Sequence, residues 1–380
     1  MEKICHITTV HKNRYDVRIF EKECSFLANS GYDVTLIVND DKEDETKNGV
    51  KVISLNKKPH GRIDRAIRIS KYAYKKAISI DADLYHVHDP ELLRIAIKLA
   101  KKGKKVIFDS HEFTAMQILY DKTYLPKLVR RILSKKYRRW EIKTLNKLSG
   151  LIYPCFYDGG DYFKDVHTKK VIVGNQPLLS MLDSYKHSED EDGEFCVCYV
   201  GDISFNRGIV QMVKACASAK VKLVLIGEIP TDVYDVISQI DGFGLVVCKG
   251  KMKHDDAMAI ASKCSAGLSL LQNQGQYAKL DNLPTKIYEY MAMGLPTVIS
   301  NFPFYEKVLT KYRFGIAVEP DNTEEIAKAI LYLKNSKQER NDMAEAGIEA
   351  IKEEMNWEKE GKKMLNFYEE VLKKNESIEN

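Results

Sequence analysis

The sequence predicts an α/β fold built as two units, each a mostly parallel sheet covered on both faces. Three observations carry this. Short apolar runs alternate with helix-length amphipathic segments along nearly the whole chain. The alternation breaks over residues 175–194, where Pro177, Ser180, Asp183, Ser188 and the run Glu189-Asp190-Glu191-Asp192-Gly193 read as a surface linker. The 380 residues also exceed one ordinary core and suit two domains of roughly 150–200 residues each.

In the first unit, residues 1–174, strands are expected over 4–10, 34–38, 84–88, 106–109, 151–155 and 171–173. Helices are expected over 17–29, with Phe20, Cys24 and Leu27 on one face and Gly31 as the stop, and over 91–101 and 125–148. In the second unit, residues 195–356, strands are expected over 195–200, 222–226, 244–247, 266–271 and 297–299. Helical patterns over 208–219, 233–240, 255–263 and 286–293 separate them, and the tail reads as three helices over 324–333, 340–353 and 357–373. Two such units place the default ligand site in the cleft between them, at the carboxyl ends of strands.

Composition narrows the function classes. Apolar residues make up 44% and charged residues 30%, as in a globular protein. No apolar run reaches the roughly 18–20 residues that span a bilayer. The start, Met1-Glu2-Lys3-Ile4-Cys5-His6, reads as a strand rather than a signal peptide, so a cytoplasmic protein is expected. None of the eight cysteines forms a CxxC pair; they read as small buried hydrophobes in a reducing compartment. The net charge of +5 is unevenly spread. Residues 51–80 carry nine Lys/Arg against one acid, and residues 101–150 carry fourteen against four. Such a basic first half implies a polyanionic neighbour: acidic lipid, nucleic acid or phosphate.

Chemistry concentrates first in Asn282-Leu283-Pro284-Thr285-Lys286-Ile287-Tyr288-Glu289. Pro284 suits the first turn of a helix and Gly294 its end. Free amides at that N-terminus favour a phosphate, Lys286 adds a formal charge, and Glu289 one turn on has the reach to take two ribose hydroxyls. The competing reading pairs Glu289 with Lys286 on an exposed face.

This stretch resembles the donor-binding signature of the family 4 retaining glycosyltransferases of GT-B fold (glycosyltransferase group 1). The resemblance implies two Rossmann-like domains facing across a cleft, with the last helix, 357–380, opening at Trp357 and crossing back to the first domain. It implies that Glu289 binds the donor ribose and that Asp281 is the first acid of the signature, contacting the transferred sugar, although its register is shortened. Thr285, Lys286 and Ile287 fall at the start of the signature helix, on the donor side. Tyr199-Val200-Gly201-Asp202-Ile203-Ser204-Phe205-Asn206-Arg207-Gly208 resembles the family's strand and glycine loop, in which Arg207 meets the diphosphate as it leaves and Gly201 lies against it. Many members carry an arginine directly after the first glycine; here Asp202 stands there, and Lys286 is the expected substitute cation.

In the first half, Asp16-Val17-Arg18-Ile19-Phe20-Glu21-Lys22-Glu23, Tyr85-His86-Val87-His88-Asp89-Pro90-Glu91-Leu92 and Val106-Ile107-Phe108-Asp109-Ser110-His111-Glu112 resemble a subgroup used in bacterial capsular, exopolysaccharide or lipopolysaccharide assembly. By that resemblance His111 approaches the reaction centre and hydrogen-bonds a sugar hydroxyl. His11, Asp16, His88, Asp89 and Glu112 are expected on the acceptor side, with His86 structural. Retaining members lack an enzymic nucleophile, and no carboxylate pair here demands one. Asp81-Ala82-Asp83 has a metal-binding spelling but reads as a turn before a strand, so no metal and no cofactor beyond the nucleotide-sugar donor is expected.

The basic segment 125–148 interleaves Lys127, Arg130, Arg131, Lys135, Lys136, Arg138, Arg139 and Lys143 with Leu128, Val129, Ile132, Leu133, Tyr137 and Trp140. It reads either as a membrane-surface helix seeking anionic lipid, consistent with a lipid-linked acceptor, or as an ordinary helix packed on its own sheet. Nucleic acid is disfavoured by the absence of a recognition motif. Two alternatives stay open: a GT-B nucleotide-sugar epimerase, and a catalytically idle sugar-nucleotide-binding subunit. A nicotinamide dehydrogenase is disfavoured because no GxGxxG follows the first strand.

Overall fold

The structure is a computed structural model that describes residues 1–10, 13–184 and 193–373. It divides into two compact units. The first comprises Met1–Phe156, Gly160–Asn175 and the described residues from Glu358; the second comprises Tyr157–Gly159 and Gln176–Trp357.

The first unit carries β1 (Lys3–Ile7), β2 (Asp33–Val38), β3 (Glu45–Lys47), β4 (Val50–Ser54), β5 (Leu84–Val87), β6 (Lys105–Asp109), β7 (Gly150–Tyr153) and β8 (Lys169–Ile172). They form one sheet in the order β3-β4-β2-β1-β5-β6-β7-β8. Every pairing is parallel except the β3–β4 hairpin. Parallel strands covered on both faces need continuous apolar runs, and Ile4, Cys5, Ile7, Val34, Leu36 and Ile37 are all buried. Chain order reverses at β1, which has β2 on one side and β5 on the other. That reversal opens a crevice at the carboxyl ends of β1 and β5.

Two helices matter for what lies there. Val17–Cys24 is wound as a π-helix and continues as α-helix over Ser25–Asn29. The wider winding brings residues five apart towards one side, which an α-helix would not do. Arg18 and Glu23 use this to point the same way, with Arg18 Nε 3.0 Å from Glu23 Oε1. The last helix, Trp357–Leu372, lays Tyr368 beside the strand histidines. It comes so close to Phe26 that a Cβ on Gly361 would sit 2.7 Å from that ring.

The second unit carries β9 (Cys196–Val200), β10 (Lys222–Ile226), β11 (Val246–Gly250), β12 (Ala266–Ser269), β13 (Thr297–Ser300) and β14 (Gly315–Val318), all parallel, in the order β11-β10-β9-β12-β13-β14. Its crevice falls between β9 and β12. One core cluster gathers Val197, Leu223, Leu225, Leu268 and Val298 with the helices Ile209–Ala219 and Thr323–Asn335.

Several elements differ from the sequence expectation. The β3–β4 hairpin, the helical stretch from Arg62 to Ile80, the helices Thr114–Tyr120 and Pro303–Tyr312, and β14 carry too short or too basic an apolar pattern to read. The basic helix is Lys127–Leu145, and it packs on Thr114–Tyr120: Ser134 Oγ donates to Ala115 O at 2.7 Å and Arg130 to Leu119 O at 3.0 Å. Seven cysteines are buried as expected of small hydrophobes, while Cys248 is exposed. Among the described residues, no helix is long and apolar enough to cross a membrane. Of the expected linker, residues 185–192 lie outside the described residues, as does 374–380 of the last helix.

Candidate functional site

Each unit gathers charged and polar side chains at the carboxyl ends of its central strands. In the first unit they centre on Asp109, the last residue of β6, which has no exposed surface. Burial alone would raise its pKa. The Arg18 guanidinium at 3.1–3.2 Å, together with hydrogen bonds from His111 and His88, outweighs burial and holds the carboxyl well below the usual carboxylate range. Glu23 is the converse: burial and the charge of Asp109 outweigh Arg18 and push it well above that range.

The histidines form a chain. His6 Nδ1 lies 2.9 Å from His88 Nε2, and His88 Nδ1 lies 3.1 Å from His111 Nε2. His111 Nε2 is 3.2 Å from Asp109 Oδ2. At the inner end the Tyr368 hydroxyl meets His6 Nε2 at 3.3 Å and also hydrogen-bonds His86 Nδ1. Burial holds His6 and His86 well below the ordinary histidine value and His88 at about 4, so these rings are neutral near pH 7. His111, 21% exposed, is the member that reaches the surface.

One potential ligand atom from each of His6, Glu23, His86 and His88 lies within 4.8 Å of the others, and the same holds for Glu23, His88, Asp109 and His111. These are metal-ligand spacings. The Arg18 guanidinium, however, occupies the same interior and already supplies the positive charge that Glu23 and Asp109 would offer an ion.

The remaining first-unit expectations divide. Asp16 caps the π-helix, its Oδ1 accepting from the amides of Arg18 and Ile19 at 3.0 Å. Asp89 is buried and ties down the segment after β1, accepting from Thr9 N at 2.6 Å, Val10 N at 3.2 Å and the hydroxyls of Thr8 and Thr9. Both carboxylates expected on the acceptor side are thus engaged by backbone, because strand-end loops leave amides that need acceptors. Glu112 is exposed and accepts from Gln117. His11 lies outside the described residues. Asp81 ends a helix at φ 52° and pairs with Lys104, and Asp83 accepts from Lys3 N at 2.8 Å, a turn as its spelling was read.

In the second unit the loop after β9 runs from Gly201 to Gly208 into the helix Ile209–Ala219. Gly208 has φ 77°, and a Cβ there would lie 2.2 Å from Leu270 O, so only glycine lets the loop close on β12. Arg207 lies over the Tyr277 ring at 5.0 Å and 3.8 Å from Asp202. Lys286, in the first turn of the helix Thr285–Met293, sets Nζ 3.6 Å from the Tyr199 ring centre and against Gly201, where a Cβ would be 3.4 Å away. Burial, then the charge of Arg207, holds the Lys286 ammonium well below its ordinary value. Two cations, a glycine loop and a helix N-terminus therefore meet in one place, a combination suited to an anion.

Glu289 does not pair with Lys286. Its Oε1 takes His254 Nε2 at 2.9 Å, and that bond raises the His254 pKa. Ile287, expected at the donor, turns its side chain fully into the core and donates its amide to Pro284 O at 2.9 Å. Thr285 is exposed, and Asp281 is half-buried in the loop ahead of the helix. Arg18, Glu23, Asp109, Tyr368 and His254 were not singled out in the sequence. Arg18, Glu23 and Asp109 fell inside the resembling stretches, but nothing local marked the other two.

Comparisons with known proteins agree with this division. The family model "Glycosyl transferases group 1" matches residues 182–350, and "Glycosyltransferase Family 4" matches residues 18–171. Among curated proteins, none matches the sequence. Sucrose-phosphate synthase from Thermosynechococcus elongatus superposes with a TM-score of 0.77 at 15% identity, covering 98% of this chain and 99% of that one. A glycosyltransferase from Rickettsia africae gives 0.71 at 14%, covering 98% and 99%. HepE from Anabaena, in complex with UDP and glucose, gives 0.69 at 14%, covering 97% and 100%.

Two outcomes follow from the second-unit geometry. Gly208→Ala forces a backbone clash at positive φ and is expected to lower stability by roughly 3 kcal/mol or more in urea unfolding. For His254 the folded pKa exceeds the unfolded one, so the stabilisation from its pair with Glu289 is complete below the ordinary value of 6.5 and is lost as pH rises through the raised value. The His254 side chain is 44% exposed, so the effect is expected to stay under about 1 kcal/mol. Glu289→Gln should bring the NMR titration midpoint of His254 down and remove this pH-dependent difference in stability.

Proposed function

The chain belongs to the group 1, family 4-type glycosyltransferases, and from that premise we propose that it is a retaining enzyme of surface polysaccharide assembly. It moves a hexose-type sugar from a UDP- or GDP-linked donor to a saccharide or lipid-linked acceptor. The observation that best supports this reading is the convergence of Arg207, Lys286, the Gly201–Gly208 loop and the start of the helix Thr285–Met293.

The departing diphosphate gains negative charge as the sugar–phosphate bond breaks. Arg207 and Lys286 meet that charge from fixed positions, at little cost in reorganisation. Lys286, whose ammonium is disfavoured without a counter-ion, gains most when a diphosphate arrives. Glu289 takes the ribose hydroxyls in exchange for His254. Asp281 faces the transferred sugar, and Gly201 and Thr285 bring backbone close to the phosphates. The acceptor hydroxyl attacks on the face from which the diphosphate leaves, with His111 contacting a sugar hydroxyl. Side-chain cations do the work of a metal, and none is required. The UDP bound by the Anabaena protein of the same fold favours a UDP-linked donor.

A lipid-linked acceptor at an anionic membrane surface is supported by the helix Lys127–Leu145. It leaves Leu128 68% exposed, with Ile132 and Leu133 also exposed between its basic residues. Beside it lies a groove of 760 Å³ lined by Ile63, Ile67, Leu133 and Trp140, with Arg94, Lys122 and Lys136. Apolar walls with ammonium and guanidinium groups suit a lipid chain and its phosphate.

A thermal-shift screen of nucleotide sugars tests the donor site. One UDP- or GDP-sugar is expected to raise the melting temperature, by roughly 2–4 °C for each kcal/mol of binding free energy, and Arg207→Ala and Glu289→Ala to abolish the rise. No shift with any nucleotide sugar would sink the assignment. Diphosphate release that needs an acceptor separates a transferase from an epimerase, which converts donor alone, and from an idle subunit, which does neither. Flotation with anionic liposomes is expected to carry the protein, and the quadruple change of Arg130, Arg131, Lys135 and Lys136 to Gln to abolish it; unchanged flotation would remove the membrane from the reading.

A further inference from the structure

The histidines, Tyr368 and Asp109 of the first unit form a nearly closed circuit whose hydrogen-bond direction can be worked out atom by atom. A neutral imidazole donates from one nitrogen and accepts at the other. Burial keeps His6, His86 and His88 neutral, so each link in the circuit has one donor and one acceptor, and fixing one link fixes all of them.

Asp109 fixes the first. Its ionised carboxylate only accepts, and its Oδ2 lies 3.2 Å from His111 Nε2. That nitrogen must carry the proton. The same N–H faces His88 Nδ1 at 3.1 Å, which therefore presents a lone pair and leaves the His88 proton on Nε2. His88 Nε2–H donates to His6 Nδ1 at 2.9 Å, so His6 is also protonated on Nε2. His6 Nε2–H donates to the Tyr368 oxygen at 3.3 Å, and the single Tyr368 proton passes to His86 Nδ1. His86 then carries its own proton on Nε2, and this atom faces Asp109 Oδ2 again, at 3.8 Å. The opposite sense fails at both ends. It would aim the lone pairs of His111 and His86 at the same buried carboxylate oxygen, which is costly in an interior where few other groups can compensate.

We propose that Asp109 locks His111 in the Nε2–H tautomer, with His88, His6, Tyr368 and His86 as positioning residues. His111 then offers Nδ1 as a hydrogen-bond acceptor. An acceptor takes a hydroxyl and rejects an ionised phosphate oxygen, so His111 recognises a sugar hydroxyl and takes no part in holding the diphosphate. The tautomer stands on the first-unit geometry alone; the identity of the hydroxyl partner rests on the glycosyltransferase reading. The circuit also favours protein groups over a metal ion at this cluster, since an ion on His6 Nδ1 and His88 Nε2 would break their mutual bond.

The test is ring-nitrogen NMR of the full chain labelled with ¹⁵N-histidine, at a pH where the rings are neutral, with His111→Gln and His88→Gln used to assign signals. The expected result is a proton on Nε2 in His6, His86, His88 and His111. A proton on Nδ1 of His111 would overturn the proposal. So would ring signals that change on chelator treatment, which would mean a bound ion. Tyr368→Phe keeps the ring but removes the oxygen joining His6 to His86. His86 is expected to lose its fixed tautomer while His111 keeps the Nε2 proton; a His111 that also changes would show that Asp109 is not the lock. When the stabilising nucleotide sugar is added, the Nδ1 signal of His111 should move towards the hydrogen-bonded position, with the proton still on Nε2. Migration of the proton to Nδ1 would overturn the hydroxyl assignment. The tautomer is read without any donor, so a failed donor screen and a failed lock are separate results.

Discussion

A carboxylate with no access to water stays ionised only if the protein supplies the donors that water would have supplied. Asp109 is such a group, at the end of a central strand, and much of the first unit's local structure answers to it. Arg18 reaches it from a π-wound turn that also carries Glu23. His111 and His88 donate towards it, and the last helix brings in Tyr368 to complete the histidine chain. The widened turn is understandable in these terms: Arg18 and Glu23 are five residues apart, and only the wider winding puts both into the same interior. The cost of burying polar groups is offset by satisfying nearly all of them, and the gain is one surface imidazole held in a fixed orientation.

The second unit meets the inverse problem. There the enclosed group is a cation, Lys286, which burial and a neighbouring arginine both disfavour, while a tyrosine face gives partial compensation. A site left incompletely satisfied in this way has affinity in reserve for an anion that brings the missing charge. Asp202, in the position where many family members have arginine, draws on Arg207 from 3.8 Å without closing a tight ion pair, so Arg207 keeps most of its charge for a ligand. The two units share a parallel sheet with a reversal of strand order, yet one is arranged to hold a neutral ring and the other to receive negative charge. That contrast follows from which side chains stand at the strand ends rather than from the fold itself.

What the sequence made legible was local. Runs such as Val34 to Val38 and Lys222 to Ile226 read correctly because a buried parallel strand has few ways to be written. Lys286, Glu289 and Arg207 could be picked out because a glycine loop and a helix start each fit within ten residues. What stayed hidden was separated in sequence. Tyr368 meets His86 across 282 positions and His254 meets Glu289 across 35, and no local pattern marks either pair. Arg18 and Glu23 were hidden differently: their spacing of five falls off the stripe of an α-helix, so a helical reading sends one of them to the wrong side. Asp16 and Asp89 were legible as strand-end acids, but sequence alone could not tell an acid that faces a ligand from one that caps free amides.

The hidden partners decide what the legible residues can do. A glutamate in the second turn of a helix has the reach to hold ribose, but Glu289 comes already paired, so a ribose must displace His254 rather than fill a vacancy. That exchange makes nucleotide affinity depend on the charge of His254. The imidazolium competes for Glu289 most strongly at low pH, and the competition fades as the proton leaves, so the ribose contact strengthens as pH rises. His111 is likewise a histidine of ordinary appearance in a strand-end motif, and its proton is placed by residues on β1, β5, β6 and the last helix. In both units the residue that touches the ligand is set by one that does not, and the physical content of the site lies in those pairs.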